Sequence, residues 1–243
     1  MSGLFFIHFK PMRQIKDKKN LQYAFFSLIF TILTNQAVYQ GSKLVNLRYP
    51  SWDVSFPIDH TFKFIPWTLS IYIGAYLIWS VSYIIIALQD DREKSERFFS
   101  AILLSRVFLI VIFIALPTSA DIRPAEITGT SFWENFARLI YGVDPPINYF
   151  PSLHCMASWF CFIGVRGKKE FPIWWQVLSF ILAIAVFIST ITTRQHVIID
   201  IPGGIVFAEL CYAMSDYKWV HETYTKISTF FMRKLFHWTT IEG

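Results

Sequence analysis

The chain of 243 residues is 54% hydrophobic and only 16% charged, which excludes an ordinary soluble domain and favours an integral membrane protein. Its formal net charge of +5 is accompanied by no nucleic-acid-binding motif, so no nucleic acid partner is expected. The three cysteines have neither metal-ligand spacing nor an even count, which disfavours a metal site or a disulfide framework built from them.

Six apolar runs approach the roughly 20 residues that a helix needs to cross a bilayer. We therefore predict an all-α integral membrane protein with a bundle of six transmembrane helices. Residues 1–243 form a single membrane domain, in which about 21–214 is the six-span core. The predicted spans are Leu21–Tyr39, Ile65–Leu88, Phe98–Leu116, Ser152–Val165, Pro172–Ile191 and His196–Met214.

The distribution of basic residues predicts the orientation. With the N-terminus inside, the cytoplasmic segments hold fifteen Lys and Arg residues and the outer segments hold six. Because basic loops stay in the cytoplasm, both termini are placed there. The short chain favours a plasma membrane over an internal one.

Two segments outside the spans have helical signals of their own. Ser131 and Glu134 have the spacing of a capping box, which predicts a short helix that ends at Gly142. Residues 215–243 are predicted to form a cytoplasmic amphipathic helix at the membrane interface, because apolar residues recur there at helical spacing beside basic ones. The apolar positions are Val220, Tyr224, Ile227, Phe231, Leu235 and Trp238.

Three segments that this topology places at the outer face concentrate polar residues. They are Arg123-Pro124 after span three, Pro151–His154 at the start of span four and Arg194–Asp200 at the start of span six. Ionisable groups at membrane depth are costly, so they normally pair, line a cavity or take part in chemistry. The three segments therefore predict a functional site.

The histidines suggest which chemistry this site performs. His196 and Asp200 are four residues apart, so on a helix the carboxylate can bond one imidazole nitrogen. The other nitrogen then keeps a lone pair, as a nucleophile or a base requires. His154 follows Ser152, whose position as an N-cap predicts a helix start that favours an anion such as phosphate.

Two arginines are candidate phosphate ligands. Arg123 and Arg194 carry forked guanidinium donors that match phosphate oxygens. Either residue has an alternative interpretation as an anchor at the level of the lipid headgroups.

These segments resemble the three-part signature of the type-2 phosphatidic acid phosphatase superfamily, which is Lys-x6-Arg-Pro, Pro-Ser-x-His and Ser-Arg-x5-His-x3-Asp. The second part is complete at Pro151–His154. The lysine position of the first part holds Leu116, and the arginine position of the third part holds Thr190. The matched positions of the third part are Ser189, His196 and Asp200.

The reduced number of basic residues resembles the branch that includes inositol phosphorylceramide and sphingomyelin synthases. In the first outer loop, Asp59, Phe64–Pro66 and Tyr72 are similar to a pattern that this branch carries before its second span. The resemblance extends from about Asp59 to Ala208 and implies that Asp59 and Tyr72 contribute to substrate binding.

The resemblance also implies a mechanism. His196 would attack phosphorus to give a phosphohistidine, and Asp200 would orient it. His154 would protonate the leaving oxygen and then activate the acceptor, while Arg123 would hold phosphate oxygens. Arg194 is our own addition, as a replacement for a lost cation. No metal or other cofactor is expected, because arginines and helix N-termini can supply the positive field.

We predict a membrane lipid phosphatase that hydrolyses a phosphomonoester or diphosphate of a lipid in the outer leaflet. The first alternative is transfer of a phospho-headgroup to a lipid alcohol, since a phosphohistidine reacts with water or with an alcohol. A second is a transporter whose His, Asp and Arg relay protons or bind an anion. A metal site built from the two histidines and Asp200 also stays open. The expected partners are a lipid phosphate and membrane lipids; the lipid and the oligomeric state stay undetermined.

Overall fold

The structure, a computed structural model, describes residues 17–89 and 91–237. Within these ranges it is built from helices joined by loops, with two short strands and two 3-10 turns, Pro57–Thr61 and Pro66–Thr68. The helices are α1 (Lys18–Asn46), α2 (Leu69–Ala87), α3 (Arg92–Ala115), α4 (Phe132–Val143), α5 (Leu153–Ile163), α6 (Ile173–Thr192), α7 (Asp200–Met214) and α8 (Lys218–Phe236).

Four of the described helices are long and apolar enough to cross a membrane. They are α1, α2 with its preceding turn, α3 and α6. Helix α5 has 11 residues and α7 has 15, which is shorter than the roughly 20 that a full crossing needs. The chain is therefore a helical membrane protein with four candidate spans among the described residues.

Polar caps place the helix ends beyond the apolar runs. Helix α1 begins at Lys18, ahead of its predicted apolar run, and Asp17 accepts the Lys19 N–H at 2.8 Å. Helix α3 begins at Arg92 behind Asp91, whose side chain accepts a main-chain N–H of the first turn. The apolar pattern thus locates each segment, and the caps decide where its helix begins. The capping box of α4 forms as predicted, but that helix continues one residue past Gly142.

The helix predicted from His196 begins instead at Asp200, which corrects the expected setting of the histidine. The residues before it form a tight turn, in which the N–H groups of Gln195 and His196 both donate to the Thr190 carbonyl, at 3.0 and 3.1 Å. Arg194 has a φ of 57°, a left-handed conformation that an α-helix does not continue through. His196 therefore lies on a turn between α6 and α7.

Helix α5 lies at the centre of the bundle, where it packs against α2, α6 and α7. Gly204 permits the close approach of α7, because a Cβ at this position would lie 2.9 Å from the Met156 nitrogen and 2.7 Å from the Cys155 Cβ. Ala208, one turn further on, is fully buried. These small residues bring the start of α5 next to the turn that carries His196.

A two-stranded parallel sheet ties the outer loops together. Strand β1 (Trp52–Asp53) pairs with β2 (Thr118–Ser119), and Ser119 also bridges Ile147. These contacts join the loops that follow α1, α3 and α4. The loops that carry Arg123 and Ser152 are thereby held near each other.

The tail helix α8 packs on α1 and α3. Tyr224 is fully buried, and its hydroxyl lies 3.0 Å from the Ser27 Oγ on α1. Phe231 and Leu235 of the predicted apolar face are exposed, and Trp238 lies outside the described residues. The helix therefore packs on the protein as well as presenting apolar residues outwards. Its buried stripe is Val220, Tyr224, Ser228 and Met232.

Candidate active site

The first turn of α5 and the turn before α7 bring an imidazole, a carboxylate and a hydroxyl into contact. Nδ1 of His196 lies 2.8 Å from Oδ2 of Asp200, and that oxygen also accepts the Val197 N–H at 3.2 Å. Since a carboxylate accepts the Nδ1 proton, the lone pair of the ring lies on Nε2. This nitrogen is 3.2 Å from the Oγ of Ser152, which caps α5 by accepting the Cys155 N–H.

The second imidazole lies opposite the first. The ring centroids of His154 and His196 are 5.6 Å apart, so a single phosphoryl group can contact both rings. His154 stacks on Tyr72 with a centroid distance of 4.2 Å, and Trp79 packs at 5.3 Å. The hydroxyls of Tyr72 and Tyr76 each lie 3.5 Å from a nitrogen of this ring. Aromatic packing thus fixes the His154 ring at the edge of a cavity.

The cavity between the histidines has a volume of about 310 Å³. It lies between α1, α2 and the outer loops, and its walls include both histidines, Arg123 and Tyr72. Ser152 and Asp200 contact His196 but do not line the cavity. Among the described residues, the charged side chains that line the cavity are Arg123 and Asp144.

Arg123 is held at the cavity by three kinds of contact. Its Nη1 donates to the Asp144 carbonyl at 2.7 Å, and its Nη2 donates to the Gln195 Oε1 at 2.7 Å. The guanidinium carbon lies 4.4 Å from the centroid of the Tyr141 ring, a cation–π distance. The cation is therefore positioned before any substrate binds.

Three donors around His196 are buried without a hydrogen-bond partner in the described part of the chain. They are Arg123 Nε, Gln195 Nε2 and the Tyr149 hydroxyl, which lies near Arg123 but outside hydrogen-bond geometry. Buried donors are normally satisfied, so an unsatisfied group requires an explanation. Burial raises the pKa of Tyr149 to about 12, so its phenol, protonated at neutral pH in any case, stays protonated in alkaline solution as well. All three groups therefore keep donor capacity that the described part of the protein does not use.

Gln195, Tyr149 and Asp144 are site residues that no sequence motif marks. Gln195 is adjacent to His196, which is the one local signal that it carries. Tyr149 packs against the His196 ring with a centroid distance of 5.5 Å. Asp144 accepts a hydrogen bond from the Tyr39 hydroxyl, across 105 residues of sequence. Such long-range pairs have no local pattern.

Arg194 and Asp59 bind the backbone and do not line the cavity. Arg194 Nε donates to the Ile122 carbonyl at 2.7 Å, and its Nη1 donates to the carbonyls of Phe62 and Asp59. The Asp59 carboxylate accepts the Ile198 N–H at 2.7 Å. The two side chains join the first outer loop to the turn that carries His196.

Replacing Arg194 with Gln is expected to lower the thermal stability of the purified protein. The substitution removes several buried charge-assisted hydrogen bonds, each of which contributes roughly 1.5–3 kcal/mol. Arg138→Gln is the matched control, because Arg138 also donates to main-chain carbonyls but is exposed. Thermal unfolding of both variants in detergent tests this, and an equal effect of the two substitutions would contradict the assignment.

The described residues contain no group of three or more His, Cys, Asp and Glu side chains arranged to hold a metal ion. Residues 51–214 match a family model described as the PAP2 superfamily, the type-2 phosphatidic acid phosphatases. The match covers all three polar segments of the site. No curated protein matches the chain.

Proposed function

Because the chain belongs to the PAP2 superfamily, which indicates phosphatase or phosphotransferase activity, we propose that it hydrolyses a phosphomonoester or diphosphate of a membrane lipid. The observation that carries this proposal is the pair of imidazoles, 5.6 Å apart, at one cavity that also holds Arg123. The Asp200 carboxylate at Nδ1 of His196 prepares its Nε2 for attack on phosphorus.

The proposed reaction has two steps. In the first, His196 Nε2 forms a bond to phosphorus while the bond to the lipid oxygen breaks, and protonated His154 gives its proton to that oxygen. In the second, a water oxygen attacks phosphorus, one water proton passes to His154, and the phosphorus–nitrogen bond breaks. Phosphate leaves, and both histidines return to their starting protonation states.

Neutral donors take the place of missing cations in this proposal. The family signature has three basic positions, of which this chain retains Arg123, with Leu116 and Thr190 at the other two. We assign the unsatisfied donors of Gln195 and Tyr149 to the phosphate oxygens, beside Arg123 Nε. Arg194 and Asp59 are assigned to positioning the His196 turn.

We place the cavity at the extracytoplasmic face of a plasma membrane, with both termini in the cytoplasm. The basic residues concentrate in the segments at the opposite ends of the helices. In this arrangement α5 and α7 complete a bundle of six crossings, because their short helices are extended by the buried loops that carry the site. The exposed apolar side chains of α8, which include Phe230 and Leu235, would contact the inner leaflet.

One observation favours a second candidate, the transfer of a phospho-headgroup to a lipid alcohol, as in the sphingolipid synthases that the sequence resembles. The charges of Arg123 and Asp144, which line the cavity, cancel. A phosphomonoester carries a charge of roughly −1.5 to −2 at pH 7, whereas a phosphodiester carries about −1. A cavity whose two charged side chains sum to zero therefore suits a phosphodiester monoanion better than a phosphomonoester dianion.

Purified protein in detergent is expected to release inorganic phosphate from long-chain phosphatidate or a polyprenyl diphosphate without added metal, and vanadate should inhibit the release. The reason is that vanadate adopts the geometry of the transferring phosphoryl group. A parallel assay supplies a labelled phosphodiester lipid with a lipid alcohol. Transfer without phosphate release would assign the second candidate.

Turnover of neither substrate would reject both enzymatic candidates and leave the transporter hypothesis. Activity that depends wholly on an added divalent ion would support the metal-site interpretation instead. Repeating the assay once with a chelator and once with an added divalent ion separates metal-independent turnover from metal-dependent turnover.

A further inference from the structure

A second cation lies deep in the bundle. Arg106 is on α3, nine residues before its end at Ala115, which corresponds to about 13 Å along the helix. The side chain is only 3% exposed. Its depth approaches half the thickness of a bilayer core of about 30 Å. Arg106 is therefore a charge near the middle of a membrane helix.

The guanidinium of Arg106 is poorly satisfied by the protein. Its Nη1 has two contacts at the limit of hydrogen bonding, Ser105 Oγ at 3.5 Å and Met156 Sδ at 3.9 Å. Its Nε is buried without a partner, and no carboxylate in residues 17–89 and 91–237 forms a salt bridge with it. An unpaired buried charge costs several kcal/mol, so a chain retains one only where something compensates it.

Arg106 lines a cavity of about 150 Å³ that adjoins the active-site cavity. Met156, which contacts Arg106, lies two residues after His154 on α5. Tyr83 and Thr31 place hydroxyl groups around this inner cavity, and its walls contain no Asp or Glu in the described residues. Four residues line both cavities: Asn35, Gln36, Tyr76 and Trp79.

We propose that Arg106 forms a second oxyanion site in the inner cavity, which adjoins the active-site cavity and shares four lining residues with it. A bound oxyanion would supply the missing negative charge, and the surrounding amide and hydroxyl groups are able to donate to its remaining oxygens. This inference rests on the proposed function for the identity of the ligand. The ligand is a phosphate, either the second phosphate of a lipid diphosphate or the inorganic phosphate that the reaction releases.

Binding measurements on a protein that does not turn over separate this proposal from the proposed function. His196→Ala protein is titrated calorimetrically with a prenyl methylenebisphosphonate, a prenyl monophosphonate and inorganic phosphate. Each titration is repeated on the double variants, in which His196→Ala is combined with Arg106→Met or with Arg106→Lys. Arg97→Met is the matched control, because Arg97 lies on the same helix but pairs with Asp216 at 2.7 Å.

Arg106→Met is expected to weaken bisphosphonate binding by about tenfold or more while changing monophosphonate binding by less than about twofold. Arg106→Lys keeps the charge and should show a smaller loss in the same ratio, which keeps the test valid if the Met variant does not fold. A loss for inorganic phosphate alone supports the site and assigns it to the released product. Equal effects on all three ligands, or none, would overturn the proposal. Absence of lipid phosphate hydrolysis by the wild type would reject the proposed function and leave these binding ratios informative.

Discussion

His196→Ala is expected to lower the rate of phosphate release by roughly 10⁴-fold or more, because it removes the atom that bonds to phosphorus. Asp200 is expected to remain folded in place, since its carboxylate keeps the Val197 N–H as a partner. The measurement is steady-state phosphate release from a lipid phosphate in detergent, together with the thermal unfolding temperature. Because the buried Asp200 loses its imidazole partner, some loss of thermal stability is also expected, and the predicted combination is this catalytic loss in protein that still unfolds cooperatively.

His60→Ala is the matched control for this substitution. His60 lies in the same region of outer loops but is exposed. We expect its activity to remain within about twofold of the wild type, as for most surface substitutions. Retention of more than about a tenth of the wild-type rate by His196→Ala would contradict its role as nucleophile, since the loss would then be below that of a positioned acid or base.

His154→Ala is expected to reduce turnover of a lipid phosphate by roughly 10²- to 10⁴-fold, the usual contribution of a general acid or base. The size of the effect should depend on the leaving group. An alkoxide must be protonated as it leaves, whereas p-nitrophenolate leaves without a proton. The variant should therefore be phosphorylated by p-nitrophenyl phosphate at a rate near that of the wild type.

Hydrolysis of the phosphohistidine, the second step, should be slow in the His154 variant, so p-nitrophenolate should be released in an initial burst. Since His154 also activates water in the proposed reaction, the phosphohistidine would accumulate after about one equivalent of p-nitrophenolate is released. His221→Ala, on the tail helix, serves as the control and should show normal steady turnover. An equal rate loss for both substrates in the His154 variant, without a burst, would argue for a structural role of the ring.

The apolar pattern predicted where the helices lie, because burial in protein or lipid requires apolar side chains whatever the detailed contacts. It did not predict their ends. Helix α1 extends from Lys18 to Asn46, beyond the apolar run in both directions. Helix α7 starts four residues later than expected, because the chain from 193 to 199 forms a turn in which the Gln195 and His196 N–H groups donate to the Thr190 carbonyl. Local caps and turns, which hydropathy does not record, decided these positions.

The catalytic candidates were predictable for a different reason. The pairing of His196 with Asp200 was expected from helical spacing and occurs through a turn instead, so the contact was predicted with the wrong geometry. The convergence of His154 with His196 depends on the close packing of α5 and α7, which Gly204 permits. The spacing of each motif thus carried more information than the secondary structure assigned to it.

The proposed phosphate ligands were the least predictable part of the candidate site. Arg194 and Arg123 have the same chemistry and similar positions relative to the motifs, yet one donates to backbone carbonyls and the other lines the cavity. Gln195 faces the cavity beside Arg123, although an amide next to a histidine has no distinctive pattern. Which donor reaches the ligand depends on loop conformation, and the loops are held by contacts between residues far apart in sequence.

Chemical trapping shows directly whether phosphorus bonds to His196 during the reaction. His154→Ala protein is incubated with a lipid phosphate bearing a labelled phosphorus and a good leaving group, and is then digested at alkaline pH. We expect label on the peptide that contains His196, stable to alkali and lost in acid. The label should be absent from the double variant His154→Ala/His196→Ala. Label on a different residue, or label that persists in the double variant, would contradict this expectation.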